Sequence, residues 1–135
     1  MKVRNWITKE VIAIAPEASV KQAFGLMKSM GIRHLPVVKG RVLKGIVTDR
    51  DLRRPKILDV FKSWHELYRI SDDIQVEDVM VSPAFTIGEG ASIKEAAQVM
   101  VQKRIGALPV IDFKGHMVGI ITESDILRAF VDGKR

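Results

Sequence analysis

The chain states one stretch twice, and this repetition limits its fold more than any other feature. Gly45-Ile46-Val47-Thr48-Asp49-Arg50-Asp51-Leu52 returns as Gly119-Ile120-Ile121-Thr122-Glu123-Ser124-Asp125-Ile126. Each copy is a glycine, a short apolar β-branched run, then Thr-x-x-Asp opening a segment with helical spacing, which reads as a strand ending at a helix. Upstream, an offset of 73 residues carries Ser19-Val20-Lys21-Gln22-Ala23 onto Ser92-Ile93-Lys94-Glu95-Ala96 and Leu35-Pro36-Val37-Val38 onto Leu108-Pro109-Val110-Ile111. Eight of the twenty positions from Ser19 to Val38 are identical to their counterparts, so the repeat is real. One extra residue in the second hairpin moves the offset to 74, where Gly45 meets Gly119. A fold for this chain must therefore use one supersecondary unit twice.

Each unit parses as β-α-β-β-α. Short strands are expected over 11–15 and 85–87. Ser19 and Ser92 read as helix N-caps, with Gln22 and Glu95 three residues on completing a capping box in both copies. Val20, Ala23, Phe24, Met27 and Met30 keep helical spacing, as do Ile93, Ala96, Ala97 and Met100. Strands follow over 35–38 and 42–47, and over 108–111 and 117–121, joined by turns whose glycines, Gly40 and Gly115, supply positive φ. A last helix starts near Thr48 or Thr122. Between the units, Pro55 should stop or kink a helix. The stretch 56–70, with Ile57, Leu58, Phe61, Trp64, Leu67 and Ile70, has mostly helical spacing. Ser71-Asp72-Asp73 then reads as a turn into a short helical turn from Val76 to Met80. The boundaries expected are 1–54 for the first repeat, 55–76 for a partly helical linker and 77–135 for the second.

Composition narrows the class without choosing a function. At 135 residues, 47% hydrophobic and 28% charged, the chain suits one compact soluble module. No apolar run is long enough to span a membrane, and no signal-type segment follows Met1, so no export is expected. Without cysteine there are no disulfides or thiolate metal sites, which fits a cytoplasmic home. The charge, 22 basic against 16 acidic residues or +6, suits nucleic acid, a membrane surface or a phosphorylated small molecule. No basic run is interleaved with aromatics, so the charge does not choose among them.

The catalytic inventory is poor. His34, His65 and His116 lie far apart with no metal-ligand spacing, and no metal site is expected. No nucleophile motif, Walker loop or dinucleotide fingerprint occurs. Asp49 and Asp51, two residues apart on a helical turn, point away from each other. Nothing marks the chain as an enzyme. The doubled Thr-x-x-Asp keeps two meanings. Thr can cap the helix while Asp answers from the third position. Alternatively the carboxylate, beside free backbone N–H groups, can take both hydroxyls of a ribose with phosphate held near the helix start.

Two copies of strand, helix, Leu-Pro-Val-(Val/Ile), hairpin and Gly-Ile-(Val/Ile)-Thr-x-x-Asp resemble a tandem pair of CBS domains, the Bateman module. The likeness covers about Asn5 to Phe130. The insertion after Leu52-Arg53-Arg54 is also similar to stand-alone CBS-pair proteins of the acetoin-utilisation B type. The resemblance implies an α+β fold of two pseudo-symmetric β-α-β-β-α repeats packed through their sheets. It further implies clefts that hold an adenine nucleotide (AMP, ADP or ATP) or a related adenosyl compound such as S-adenosylmethionine. Carried over by position, one cleft pairs Thr48 and Asp51 with Pro83, Ala84, Phe85 and Thr86. The other pairs Thr122 and Asp125 with Val11, Ile12 and Ala13. Phosphate-facing positions fall on Arg33 and Arg50 in repeat one but on Gly106 and Ser124 in repeat two, with His34 a further candidate. Repeat one departs from the pattern with Glu10 and Ala13 where repeat two has Pro83 and Thr86, and Glu10 turned inward would repel phosphate.

The expected function is a non-catalytic sensor, in which nucleotide binding shifts the packing of the two repeats and an unidentified regulated protein reads the shift. The resemblance also implies a homodimer. Two rival readings stay open: a nucleic-acid-binding protein using its basic surface, and a structural dimerisation module with empty clefts.

Overall fold

A computed structural model describes residues 1–52 and 74–133. The chain is α+β. It divides into two compact units, Ile12–Pro83 and Met1–Val11 with Ala84–Arg135. The expected features over 55–73, including Pro55, Trp64, His65, Tyr68 and the Ser71-Asp72-Asp73 turn, lie outside the described residues.

In the Ile12–Pro83 unit, α1 spans Val20–Met30, β1 His34–Lys39, β2 Val42–Thr48 and α2 Asp49–Leu52. Ser19 caps α1 as expected: its hydroxyl accepts from the Gln22 N–H at 3.0 Å, and the Gln22 side chain accepts from the Ser19 N–H at 2.9 Å. The helix ends on Gly31 at φ 65°, a left-handed conformation that glycine adopts without penalty. β1 and β2 form an antiparallel hairpin with a bulge at Lys44, because Val37 pairs with Gly45 while Val38 pairs with Leu43.

The second unit repeats this plan. Its elements are β3 (Ile87–Gly88), α3 (Ile93–Lys103), β4 (Ala107–Ile111), β5 (Met117–Thr122) and α4 (Glu123–Asp132). The bulge recurs at Val118. The capping box does not recur in full. The Ser92 hydroxyl accepts from the Glu95 N–H, but the Glu95 carboxylate takes the Ser92 hydroxyl at 3.3 Å, so its acceptor oxygen meets a side chain where Gln22 meets a backbone donor. In the second hairpin the Asp112 carboxylate accepts from the Lys114 and His116 N–H groups at 2.9 Å each. These bonds, with His116 first, hold its carboxyl below the ordinary value against a smaller opposing effect of burial.

The compact units cut across the repeats as they run in sequence. Val76 is fully buried in the Ile12–Pro83 unit, its N–H donating to the Ala18 carbonyl at 2.8 Å. Val3 does the same in the other unit, donating to the Ala91 carbonyl at 2.9 Å. Both valines begin a single 3-10 turn, Val76–Asp78 and Val3–Asn5. The stretch after each turn then lies on the hairpin edge. Val81 and Ile46 exchange backbone bonds at 3.0 and 2.8 Å, and Thr8 and Ile120 do so at 3.0 and 3.1 Å. The repeat thus reaches back to Met1, whose carbonyl accepts from Ile93 as that of Ile74 accepts from Val20.

The expected strands at 11–15 and 85–87 shrink to a bridge at Ile14 and to the two residues of β3. The prolines give the reason. Ile14 runs parallel to β1, donating to the Pro36 carbonyl at 3.0 Å and accepting from Val38 at 2.9 Å. One step further back, the Ile12 carbonyl would need the N–H of residue 36, which proline lacks. The parallel pairing of Ile87 with Val110 puts Pro109 opposite the Phe85 carbonyl in the same way.

Each unit has its own core. Val20, Ala23, Met27, Leu35, Val37, Val47, Leu52 and Val76 form one cluster. Val3, Ile87, Ile93, Ala96, Met100, Leu108, Val110, Ile121 and Ala129 form the other. Fully burying one such aliphatic side chain contributes about 1.5–3 kcal/mol.

Glycine substitutions separate the crowded positions from the open ones. A Cβ on Gly45 would stand 2.6 Å from the Val81 carbonyl oxygen, and one on Gly119 would stand 2.8 Å from that of Thr8. Gly25, inside α1, has nothing within 4 Å of an added Cβ. Chemical denaturation should show Gly45→Ala and Gly119→Ala each destabilising by about 1–3 kcal/mol. Gly25→Ala should stabilise by about 0.5–1 kcal/mol.

Candidate functional site

Each unit carries one corner where the hairpin's second strand hands over to a helix. In the Ile12–Pro83 unit, the Thr48 N–H donates to Asp51 Oδ2 at 3.0 Å, and the Asp51 N–H donates to Thr48 Oγ1 at 3.1 Å. In the other unit, the Thr122 N–H donates to Asp125 Oδ2 at 2.9 Å and the Asp125 N–H to Thr122 Oγ1 at 3.4 Å. The Thr122 hydroxyl also reaches Asp125 Oδ2 at 3.2 Å. The capping meaning of Thr-x-x-Asp therefore holds in both copies. Asp51 and Asp125 are each 4% exposed, and a buried carboxylate is tolerable here because backbone donors and the positive helix end face it.

The start of the preceding strand closes each corner. The Asp49 N–H donates to the Arg33 carbonyl at 3.1 Å, and His34 pairs with Thr48 across the ladder. At the equivalent place the Glu123 N–H donates to the Gly106 carbonyl at 3.0 Å, and Ala107 pairs with Thr122. The half-buried His34 and the exposed Arg33 and Arg50 thus gather around the first corner. Because Ile14 runs parallel to β1, the half-buried Ile12 and Ala13 lie toward the same strand end. The exposed Pro83 belongs to this unit too, two residues past the Val81 bridge. Ala84, Phe85 and Thr86 stand in the same relation to the second corner, in the unit that also contains Val11. Within each unit the structure joins a Thr-x-x-Asp to its own leading segment. Of the pairings implied by the resemblance, Pro83 shares a unit with Thr48 and Asp51, and Val11 with Thr122 and Asp125, while Ala84, Phe85 and Thr86, and Ile12 and Ala13, belong in each case to the other unit.

Two features escaped the sequence reading. Arg128 donates to Asp125 Oδ1, an i, i+3 pair that helical spacing alone could have flagged. Lys103, at the end of α3, holds its ammonium 5.0 Å from the centre of the Phe85 ring. The residues are separated by seventeen others in sequence, and no local pattern joins them. Among the described residues, no group of three or more His, Asp or Glu side chains could hold a metal ion, and no helix is long and apolar enough to cross a membrane.

The chemistry of the second corner is that of a carboxylate with unused acceptor capacity. A carboxylate offers about four lone-pair sites. At Asp125, Oδ2 takes the Thr122 N–H and hydroxyl and Oδ1 takes Arg128, so one further donor can be accepted as these bonds stand. Thr122→Ala removes the cap acceptor and should cost about 0.5–2 kcal/mol by denaturant titration. Arg128→Ala, which removes a partner 54% exposed, should cost less than about 1 kcal/mol.

Known proteins share this architecture. The family model for the CBS domain matches twice, over residues 3–55 and 76–132. Inosine-5'-monophosphate dehydrogenase of Thermoplasma acidophilum is 37% identical over 131 residues, covering 96% of this chain. The chain spans only 24% of that relative's length, and 23% and 46% of two others, an inosine-5'-monophosphate dehydrogenase and a protein of Methanocaldococcus jannaschii. The crystal structure of CBSX2 in complex with AMP superposes with a TM-score of 0.82 at 26% identity, covering 99% of this chain and 98% of that one. The CBS domain pair of protein MJ0100, in complex with 5'-methylthioadenosine and S-adenosylmethionine, gives 0.80 at 27% identity, covering 99% and 98%.

Proposed function

The chain belongs to the CBS-domain family, and we propose that it is a non-catalytic regulatory module that binds an adenosyl nucleotide at its two Thr-x-x-Asp corners. The observation that carries the reading is the duplicated buried carboxylate, Asp51 and Asp125, each 4% exposed at a strand-to-helix corner. Such a group accepts ribose hydroxyls, at Asp125 one on its remaining acceptor site and a second in place of Arg128 or the Thr122 hydroxyl. Thr48 and Thr122 fix the carboxylates in place. The leading residues Val11, Ile12 and Ala13, and Pro83, Ala84, Phe85 and Thr86, form the adenine walls. The carbonyls that Pro36 and Pro109 leave without a ladder donor can accept from an exocyclic amine. Arg33, His34 and Arg50 face phosphate. AMP in CBSX2 and the adenosyl compounds in the MJ0100 pair support this ligand class, since both proteins share the fold along nearly the whole chain.

Signalling follows if the ligand has unequal affinity for two arrangements of the repeats, and a regulated protein reads the difference. The assembly we propose is a homodimer. α4 supports it by exposing Leu127, Phe130 and Val131 at helical spacing, 65%, 79% and 76% accessible. Light scattering at micromolar concentration should return about 30 kDa, twice the 15.1 kDa chain, and Phe130→Asp should shift it toward the single chain. A parent protein at single-chain mass, with and without nucleotide, would refute the dimer.

The ligand role of the aspartates is tested by calorimetric titration of AMP, ATP and S-adenosylmethionine against the parent, Asp51→Ala and Asp125→Ala, after each variant is shown to be folded. A lost ribose contact should weaken binding by about 1.5–3 kcal/mol, at least tenfold, in one or both variants. Affinities equal to the parent's in both would leave the two motifs as helix caps alone.

A further inference from the structure

The two corners are charged from different sequence positions. Repeat one approaches its corner through Met30, Gly31, Ile32 and Arg33, and repeat two through Lys103, Arg104, Ile105 and Gly106. The basic side chain after the shared isoleucine in one copy is replaced by two before it in the other. Arg104 adopts φ 56° and is, among the described residues, the one non-glycine residue with positive φ, whereas its counterpart Gly31 takes φ 65° freely. An arginine there costs backbone energy that glycine avoids, and retained strain of this kind marks functional positions. A basic residue also suits a helix C-terminus electrostatically, but Lys103 already supplies that in the last turn.

Two residues, at most about 7 Å of extended chain, separate Arg104 from Gly106. The Gly106 carbonyl accepts from Glu123 at 3.0 Å, beside Thr122 and Asp125. Lys103 is held over Phe85, in the leading segment of the same unit. Neither Lys103 nor Arg104 is paired with a carboxylate among the described residues, whereas Arg128 is tied to Asp125.

We propose that Lys103 and Arg104 are the phosphate-recognising side chains of the unit that carries Thr122 and Asp125, taking the part that Arg33 and Arg50 play in the other. The inference rests on the adenosyl-nucleotide reading above. It makes the second corner a phosphate site by a different route, with one ammonium oriented on an aromatic face and one guanidinium on a strained backbone.

The test is calorimetric titration of adenosine, AMP and ATP against the parent, Lys103→Met and Arg104→Gly, with a melting temperature for each protein. Both substitutions copy the residue at the equivalent position of repeat one. ATP affinity should fall about tenfold in each variant while that of adenosine stays within about twofold. Arg104→Gly should also raise the melting temperature, so its loss of ATP affinity cannot come from unfolding. ATP and adenosine responding alike in both variants would overturn this assignment and leave the nucleotide reading standing. A parent that binds none of the three compounds overturns both.

Discussion

Everything in each unit depends on a borrowed stretch of chain lying against the hairpin edge. Val81 bonds to both backbone groups of Ile46, and Thr8 to those of Ile120, while a valine one turn earlier plugs the core. The approach is so close that residues 45 and 119 have no room for a side chain. The glycine opening each Gly-Ile-(Val/Ile)-Thr stretch is therefore required by that contact rather than by a turn, since neither residue has a positive φ. The same contact covers an edge that would otherwise offer unpaired N–H and C=O groups to another chain. Hydrogen bonding, packing and protection from aggregation converge on one crossing.

Much of the fold was legible because its signals are local. Ser19 and Ser92 cap helices, Gly40 and Gly115 turn at φ 61° and 83°, and the hairpin strands run within a residue of their apolar patterns. Of the borrowed stretches, the helical turn at Val76 was legible, but its counterpart at Val3 and the contacts of both with the hairpin edges were not. Val3-Arg4-Asn5 and Val76-Glu77-Asp78 share one residue type, because a single buried valine and a set of backbone bonds define them. Backbone bonding leaves no side-chain pattern to read. The leading strands are shorter than their composition suggests for a related reason. Their apolar composition suits a strand, but the absent N–H of Pro36 or Pro109 belongs to a neighbour that is remote in sequence.

At the candidate site, residue identities were legible and partnerships were less so. Thr-x-x-Asp announces its own reciprocal bonds because donor and acceptor are three residues apart. The meeting of Arg33 with Asp49, or of Lys103 with Phe85, needs the hairpin and the parallel pairing to be in place first. Tertiary geometry also changes what the aspartates mean. In sequence, cap and ribose ligand are alternatives. At Asp125 the carboxylate that caps the helix retains acceptor capacity, so the two roles are compatible on one group.

That compatibility bears on how binding could be felt elsewhere. Ligand hydroxyls accepted by Asp125 would share a carboxylate that also holds the Thr122 N–H and Arg128. Any movement of the carboxylate then acts on the first turn of α4, the helix whose outer face carries Leu127, Phe130 and Val131. A rigid helix turns a small displacement at its first turn into a displacement of the apolar residues two turns away. The coupling must be reciprocal: whatever covers that apolar face biases the corner by the same free energy with which the ligand biases the face. A capped helix running from the proposed ligand corner to an exposed apolar patch is thus a physical route by which binding at that corner could be reported.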